Sequence, residues 1–404
     1  MLTPGAEQIS GIDGSTMNVE DSFITKIVAN SMDLRKIIAV IGSFYWIIMT
    51  IFIVPCAVVA TFLTILLPII LINVRIYNWI DHKLCRMVND HWVSALLNVG
   101  LNIVEFGDDI SEVANKRVLF LSNHLGLADH FIIMTALHNK GTVVEKYLWV
   151  IFNIWKLTPL GAMWLIHGNF FINGGSSKRE KQLNDFKEHL RKYYWKHDYG
   201  WLIMYPEGSR LFLIKENNKR FAEKIGHKVY KHCALPRVGA AHAALGISLF
   251  SLGTSDVAYS GLGKPIEYIV DCTIAYYKGD VANLGQYLMG EFPHGVSTVG
   301  IHYKESFPFL ILKMVIPVKA EWIDESILKK WLYSLYEKKD ELLDYYYKKN
   351  SFPDHGKTRP RPVFFPFSRF IIVEFFWIIL FYFHYISWIK PLFSSLRSAI
   401  FSFF

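Results

Sequence analysis

Residues Phe120–Phe131 read FLSNHLGLADHF. The apolar run that ends here, RVLFLS from Arg117 to Ser122, has the length of a buried strand, and DHFIIMTAL from Asp129 is placed to begin a helix. Between them lies a turn carrying Asn123, His124 and Asp129. A strand that passes through a polar loop into a helix is the building unit of α/β proteins. In open sheets of that class, ligands bind beyond the carboxyl ends of the strands, and His124 stands at such an end. Asp129 admits two readings. It is either an N-cap that satisfies free backbone donors, or a carboxylate that turns back to orient the His124 ring and leaves its other nitrogen to accept a proton.

The alternation continues along the chain. NIVEF, WLIHGNFFI, WLIMY, YIVDCTIAYY and VGIHY are short apolar runs bounded by turn signals, and CALPRVGAAHAAL opens with a further short strand. Lys178–Trp195, KREKQLNDFKEHLRKYYW, is helical in pattern, as is KKWLYSLYEKKDELLDYYYKK near the end. These predict an α/β domain built on a mixed, mostly parallel sheet flanked by helices. The segment beginning at Asn78, NWIDHKLCRMVNDHWVSALLNV, is an amphipathic helix that lies on a bilayer surface or packs on the domain.

At 52% hydrophobic residues the chain is rich for a soluble protein. Ile37 to Val74 forms a run without Lys, Arg, Asp, Glu or His, where about 20 apolar residues make one membrane helix. Pro55 and Pro68 interrupt helical hydrogen bonding, which predicts two helices bent at Pro55-Cys56; one long tilted span is the alternative. Mostly polar residues precede the run, so it reads as a retained anchor rather than a cleaved leader. Basic residues on both flanks suit a hairpin with both ends on one side. Phe370 to Ile389, FIIVEFFWIILFYFHYISWI, is a second membrane segment, and PLFSSLRSAIFSFF beyond it reads as a surface-bound tail. Its Glu374 and His384 are costly in hydrocarbon, so they are either functional or reach for the interface. Cys56, Cys85, Cys233 and Cys272 have no ligand spacing, and no Asn-x-Ser/Thr sequon occurs, as expected of a cytosol-facing domain. The expected organisation is 1–36 cytosolic segment, 37–76 membrane hairpin, 77–366 catalytic domain, and 367–404 membrane segment and tail.

A second constellation is WLIMYPEGSRL, Trp201–Leu211. A strand runs into Pro206-Glu207-Gly208-Ser209-Arg210, where Gly208 permits close backbone approach and Arg210 offers a planar fork suited to phosphate. Downstream, Pro236-Arg237 precedes small residues; upstream, Gly174-Gly175 form a turn before Lys178 and Arg179. The chain has no Gly-x-Ser-x-Gly elbow. A hydroxyl activated by His124 therefore belongs to the substrate.

NHLGLAD followed about 80 residues later by YPEGSR, behind a hydrophobic anchor, resembles the glycerophospholipid acyltransferase family. HGNFFI, LPR, DCTIAYYKG and WLYSLYEKKDELLDYYYKKNSFP extend the resemblance to its animal lysophosphatidylglycerol acyltransferase branch. It implies that His124 is the general base toward a lysophospholipid hydroxyl, oriented by Asp129, and that the hydroxyl attacks the thioester of acyl-CoA directly. Donors near the loop would stabilise the oxyanion. Asn123, Glu207, Gly208, Ser209, Arg210, Pro236 and Arg237 would contact substrate. The family's second motif usually ends in Arg, where this chain has Asn173; Lys178 or Arg179 would stand in. The partners implied are membrane lipids, lysophospholipid and acyl-CoA as co-substrate, with no metal, no further cofactor and no nucleic acid, at the endoplasmic reticulum membrane. The net charge of +8 suits an anionic membrane face and the phosphates of CoA. Two other readings compete: a catalytically quiet, lipid-binding subunit of a membrane assembly, and a metal-dependent hydrolase using His124, Asp129 and His130.

Overall fold

The computed structural model describes residues 34–173, 179–253, 264–303, 316–353 and 359–402. Gly174, Gly175, Lys178 and all but the last few residues of the N-terminal segment lie outside them. In chain order the helices are α1 (Leu34–Ile72), α2 (Val74–Val99), α3 (Asp129–Leu137), α4 (Pro159–Ile166), α5 (Arg179–His189), α6 (Leu211–Lys224), α7 (Gly239–Gly253), α8 (Leu284–Leu288), α9 (Glu325–Lys349) and α10 (Phe367–Ser398). The strands are β1 (Asn102–Gly107), β2 (Val118–Ser122), β3 (Tyr147–Phe152), β4 (Phe170–Ile172), β5 (Trp201–Met204), β6 (Tyr268–Tyr276), β7 (Thr298–Tyr303), β8 (Ile316–Pro317) and β9 (Arg361–Pro362).

They form one mixed sheet in the order β4-β3-β5-β2-β6-β7-β1-β9, with β8 pairing β6. The block from β4 to β6 is parallel, and β7 turns antiparallel to β6. Central β2 is buried along its whole length. Its alternate residues serve opposite faces. Val118 and Phe120 join the core under α2, α3 and α4, whereas Leu119 and Leu121 join the core under α5, α7 and α9. Two covered faces explain why the run is apolar throughout instead of alternating.

One strand goes unread in the sequence and two local expectations fail. Tyr147–Phe152 is a strand that turn signals did not mark. Of WLIHGNFFI only Phe170–Ile172 is strand, because Trp164–Ile166 closes α4. Cys233–Leu235 pairs with no strand. The amides of Lys231 and His232 donate to Asp340, that of Ala234 to Glu207 and that of Leu235 to Asn218, so side chains replace the ladder.

No hairpin forms within residues 37–76 and there is no bend at Pro55-Cys56: the segment is the single long helix of the alternative reading. Helix α1 runs unbroken through both prolines. A π-helical turn at Met49–Ile53 ends two residues before Pro55, and another at Phe62–Leu66 ends two before Pro68. The wider turn accommodates the missing amide and the bulk of the proline ring. The same device, at Tyr385–Ile389 before Pro391, carries α10 on into the segment read as a tail. The chain folds back at Asn73, which is extended (φ −152°, ψ 101°) and whose Oδ1 accepts from the amides of Arg75 and Ile76. Helix α2 then returns along α1, with Trp46 Nε1 donating to the His91 carbonyl at 3.2 Å. It packs on the domain, burying Asp81, His82, Trp92 and Ser94.

Helix α10 completes this layer. Glu374 accepts from the Tyr45 hydroxyl at 2.9 Å and lies 2.8 Å from His91 Nδ1; His384 Nε2 is 2.8 Å from Thr61 Oγ1. Both costly groups thus face neighbouring helices, where partners offset their desolvation. Helices α1 and α10 are each long and apolar enough to cross a membrane.

Candidate active site

Because β2, β5 and β6 are parallel, the loops after β2 and β5 and the end of β6 meet at one sheet edge. His124 lies two residues beyond β2. Its Nδ1 is 2.8 Å from Asp129 Oδ2. That oxygen also accepts from the amides of Leu125 (2.6 Å) and Gly126 (2.9 Å), and Oδ1 accepts from the Tyr276 hydroxyl at 2.5 Å. Asp129 is fully buried, so each acceptor site has a donor, and the ring presents Nδ1–H to it. The remaining nitrogen, Nε2, can take a proton. The cap reading of Asp129 fails, because Asp129 is the first residue of α3 and bonds back into the loop instead of onto the helix. Gly126 is required for this loop, since a Cβ there would stand 2.5 Å from Val281 Cγ1. Tyr205 stacks on the His124 ring at 4.1 Å between centroids.

Glu207 does not face a ligand. It is buried, with Oε1 accepting from the His124 amide and Oε2 from the Ala234 amide, both at 3.0 Å. Burial pushes its carboxyl up to about 8, although the two amides and Lys339 pull it down. The expectation that Glu207 holds substrate is therefore corrected: it braces the loop that carries His124. Asn123 is corrected likewise. Its amide group donates to the Ile274 carbonyl (2.9 Å) and accepts from the Ile274 amide (2.8 Å), sewing β2 to β6 in the interior. The His124, Leu125 and Gly126 amides are all engaged, so they are not free to hold an oxyanion.

The arginines sit differently. Gly208 adopts φ +75°, a left-handed turn that Gly favours, and the Arg237 side chain lies beside it. Arg237 is exposed while Pro236 is buried, and the Arg237 amide donates to the Pro206 carbonyl at 2.7 Å. Ser209 and Arg210 are half-buried, with the Arg210 guanidinium 5.1 Å from the Phe212 ring. Arg179 lies against the start of α7 near Gly239 and is 3.6 Å from Glu325. Asn173 ends edge strand β4, exposed, its amide donating to Gln182 at 2.9 Å. Three strand spacings separate β4 from β2, about 14 Å, so Asn173 belongs to the rim.

His130 stacks on Trp149 at 4.3 Å and shares a 3.2 Å hydrogen bond with the Tyr205 hydroxyl. Burial, then His124, lower its pKa to about 3, which keeps it neutral. It does not converge with His124 and Asp129 on a common point. Sequence reading missed Tyr276, Tyr205 and Lys339. Lys339, on α9, is fully buried, pairs with Asp271 at 2.8 Å and donates to the Cys272 carbonyl, stiffening β6 behind the site. In the sequence, only the Tyr-Tyr closing YIVDCTIAYY at a strand end hinted at Tyr276.

Residues 316–375 match the model of a family described as Acyltransferase C-terminus. Over 367 residues the chain is 43% identical to a Caenorhabditis elegans protein provisionally named as a 1-acyl-sn-glycerol-3-phosphate acyltransferase, with 89% of each chain covered. It is 31% identical over 260 residues to mouse acyl-CoA:lysophosphatidylglycerol acyltransferase 1, covering 63% of this chain and 67% of that one. A solved structure, the 1-acyl-sn-glycerophosphate acyltransferase of Thermotoga maritima, aligns with 76% of this chain and 97% of its own at 12% identity and a TM-score of 0.42.

Proposed function

Since the chain belongs to the glycerolipid acyltransferase family, we propose that it moves a fatty acyl group from acyl-CoA to the free hydroxyl of a lysophospholipid. Lysophosphatidylglycerol or lysophosphatidylethanolamine is the favoured acceptor, and the endoplasmic reticulum membrane, with the domain facing the cytosol, the favoured site. The observation that supports the reading is the saturated Asp129 carboxylate, which engages His124 Nδ1 and leaves Nε2 for the proposed proton transfer. In the proposed step, His124 Nε2 takes the acceptor's hydroxyl proton as the oxygen attacks the thioester carbonyl. The tetrahedral adduct collapses, the C–S bond breaks, and the imidazolium returns its proton to the departing thiolate. Arg210 and Arg237 supply positive charge for phosphate.

The test is acyl transfer in membranes carrying the protein or its His124→Ala variant, supplied with several acyl-CoAs and a panel of lysophospholipids and read by mass spectrometry. Loss of one product class in the variant names the acceptor. Equal product in wild-type, variant and empty membranes would replace this reading with the quiet lipid-binding subunit.

A further inference from the structure

A groove of about 540 Å³ lies far from His124, between α2 and α10. Its walls include Trp79, Lys83 and Arg86 of α2, Arg369 and Phe376 of α10, and Glu145, just ahead of β3. Glu145 precedes the amino end of β3, whereas His124 lies past the carboxyl end of β2. With those strands in register through β5, the two sites are separated by about 20 Å at 3.3 Å per residue.

The charges in the groove do not cancel. Glu145, buried, accepts from Lys83 Nζ (2.8 and 2.9 Å) and from Arg86 (2.6 Å), so two cations share one carboxylate. Arg369 is matched by buried Asp90 at 2.6 Å. The side chain of Lys83 is 51% exposed and that of Arg86 30%, leaving donors toward the groove. The apolar surroundings point to the source of the anion. Trp79 is 64% exposed at the rim, where aromatic residues settle at the headgroup level of a bilayer. Below it, Ile372, Phe375 and Ile379 form an exposed apolar face along α10, a helix of membrane-spanning length.

We propose that this groove binds the phosphate headgroup of an anionic bilayer phospholipid at a non-catalytic site, with Lys83, Arg86 and Arg369 facing the phosphate and the acyl chains lying along α10. Cations tethered to buried carboxylates are already held in place, so a phosphate gains their charge without ordering flexible side chains. The volume suits a headgroup with its glycerol rather than a whole lipid.

The experiment uses full-length protein in nanodiscs of phosphatidylcholine alone or mixed with phosphatidylglycerol, with retained lipids counted by native mass spectrometry. Phosphatidylglycerol should be retained about fivefold or more over phosphatidylcholine, and Lys83→Gln should remove about fivefold, the worth of one cation at an anionic surface. Lys83→Arg should restore retention, and Lys330→Gln, exposed on α9, should leave it unchanged, whereas Arg210→Gln reports only on lipid held at the catalytic edge. Should Lys83→Gln fail to fold, Arg86→Gln is read the same way, because Glu145 keeps Lys83. Equal retention of the two lipids, indifference to both α2 variants, or loss in Arg210→Gln alone would overturn the proposal. So would displacement of the lipid by millimolar glycerol phosphate, which would mark a site for soluble anions.

Discussion

The loops after β2 and β5 look alike in sequence: each ends an apolar run, carries a polar motif and opens a helix. In the structure they divide the labour. The β2 loop presents a partly exposed imidazole on a buried carboxylate. The β5 loop buries its own carboxylate and spends it on the backbone of the first loop, with the Leu211 amide adding a 3.0 Å bond to the His124 carbonyl. A charged residue in a motif can therefore touch substrate or hold the residue that does, and burial decides which.

The largest effect should separate the two loops. His124→Ala removes the proton acceptor and should cut acyl transfer by about 10²–10⁴-fold, while the melting temperature in detergent stays near that of wild type. A large loss of stability in that variant would mean that His124 is structural after all. Glu207→Ala should show the opposite signature. It orphans the His124 and Ala234 amides at about 1–3 kcal/mol each, readable by urea unfolding, and activity should fall as a consequence of the displaced loop.

The pH dependence of stability sharpens the contrast. The Glu207 carboxyl is raised from 4.5 to about 8 in the folded chain, so between those values the folded state holds a proton that the unfolded state has lost. Stability from this group is thus greatest below pH 4.5 and declines as pH rises toward 8. Buried His130 works the other way: with its pKa lowered to about 3, its contribution is complete above 6.5 and is lost as pH falls. Comparing unfolding at pH 5.5 and 8.5 in wild type and Glu207→Gln checks the first sign; an identical decline in both proteins would refute it.

Tyr276→Phe addresses the joint between the loops and β6. Losing the hydroxyl that donates to Asp129 leaves that buried carboxylate one donor short. The rate should drop about tenfold, worth one short hydrogen bond to a charged group, with KM nearly unchanged. A merely structural Tyr276 would instead raise KM and lower kcat together.

Sequence range decides which of these features can be read without a structure. The β2 strand, the α3 start and the His124–Asp129 pair are local, five positions apart, and are legible. Glu207 reaches His124 across 83 residues and Tyr276 reaches Asp129 across 147, so their roles depend on a strand order that no periodicity encodes. Strand β3 escapes notice because Lys146 and Asn153 flank it in place of Gly or Pro. The bend expected at Pro55 is misplaced for a physical reason too: a helix can absorb a proline by widening the turn before it. Asn73, an unremarkable residue by composition, makes the turn because its side chain caps the start of α2.

Asn173 offers the smallest and most discriminating effect. It is exposed at the end of edge strand β4, and its hydrogen bond to Gln182 is made by its backbone, not its side chain. Arg in its place should change stability by no more than about 0.5 kcal/mol. If the rim beyond β4 reads the acceptor's phosphate, the added guanidinium should lower KM for the lysophospholipid and leave kcat nearly alone, because uniform binding does not act on the transition state selectively. A shift in head-group preference would place Asn173 among the residues that choose the acceptor. Unchanged KM for every acceptor would confine phosphate recognition to Arg210, in the β5 loop beside Glu207, and Arg237, which follows the Ala234 amide that Glu207 holds.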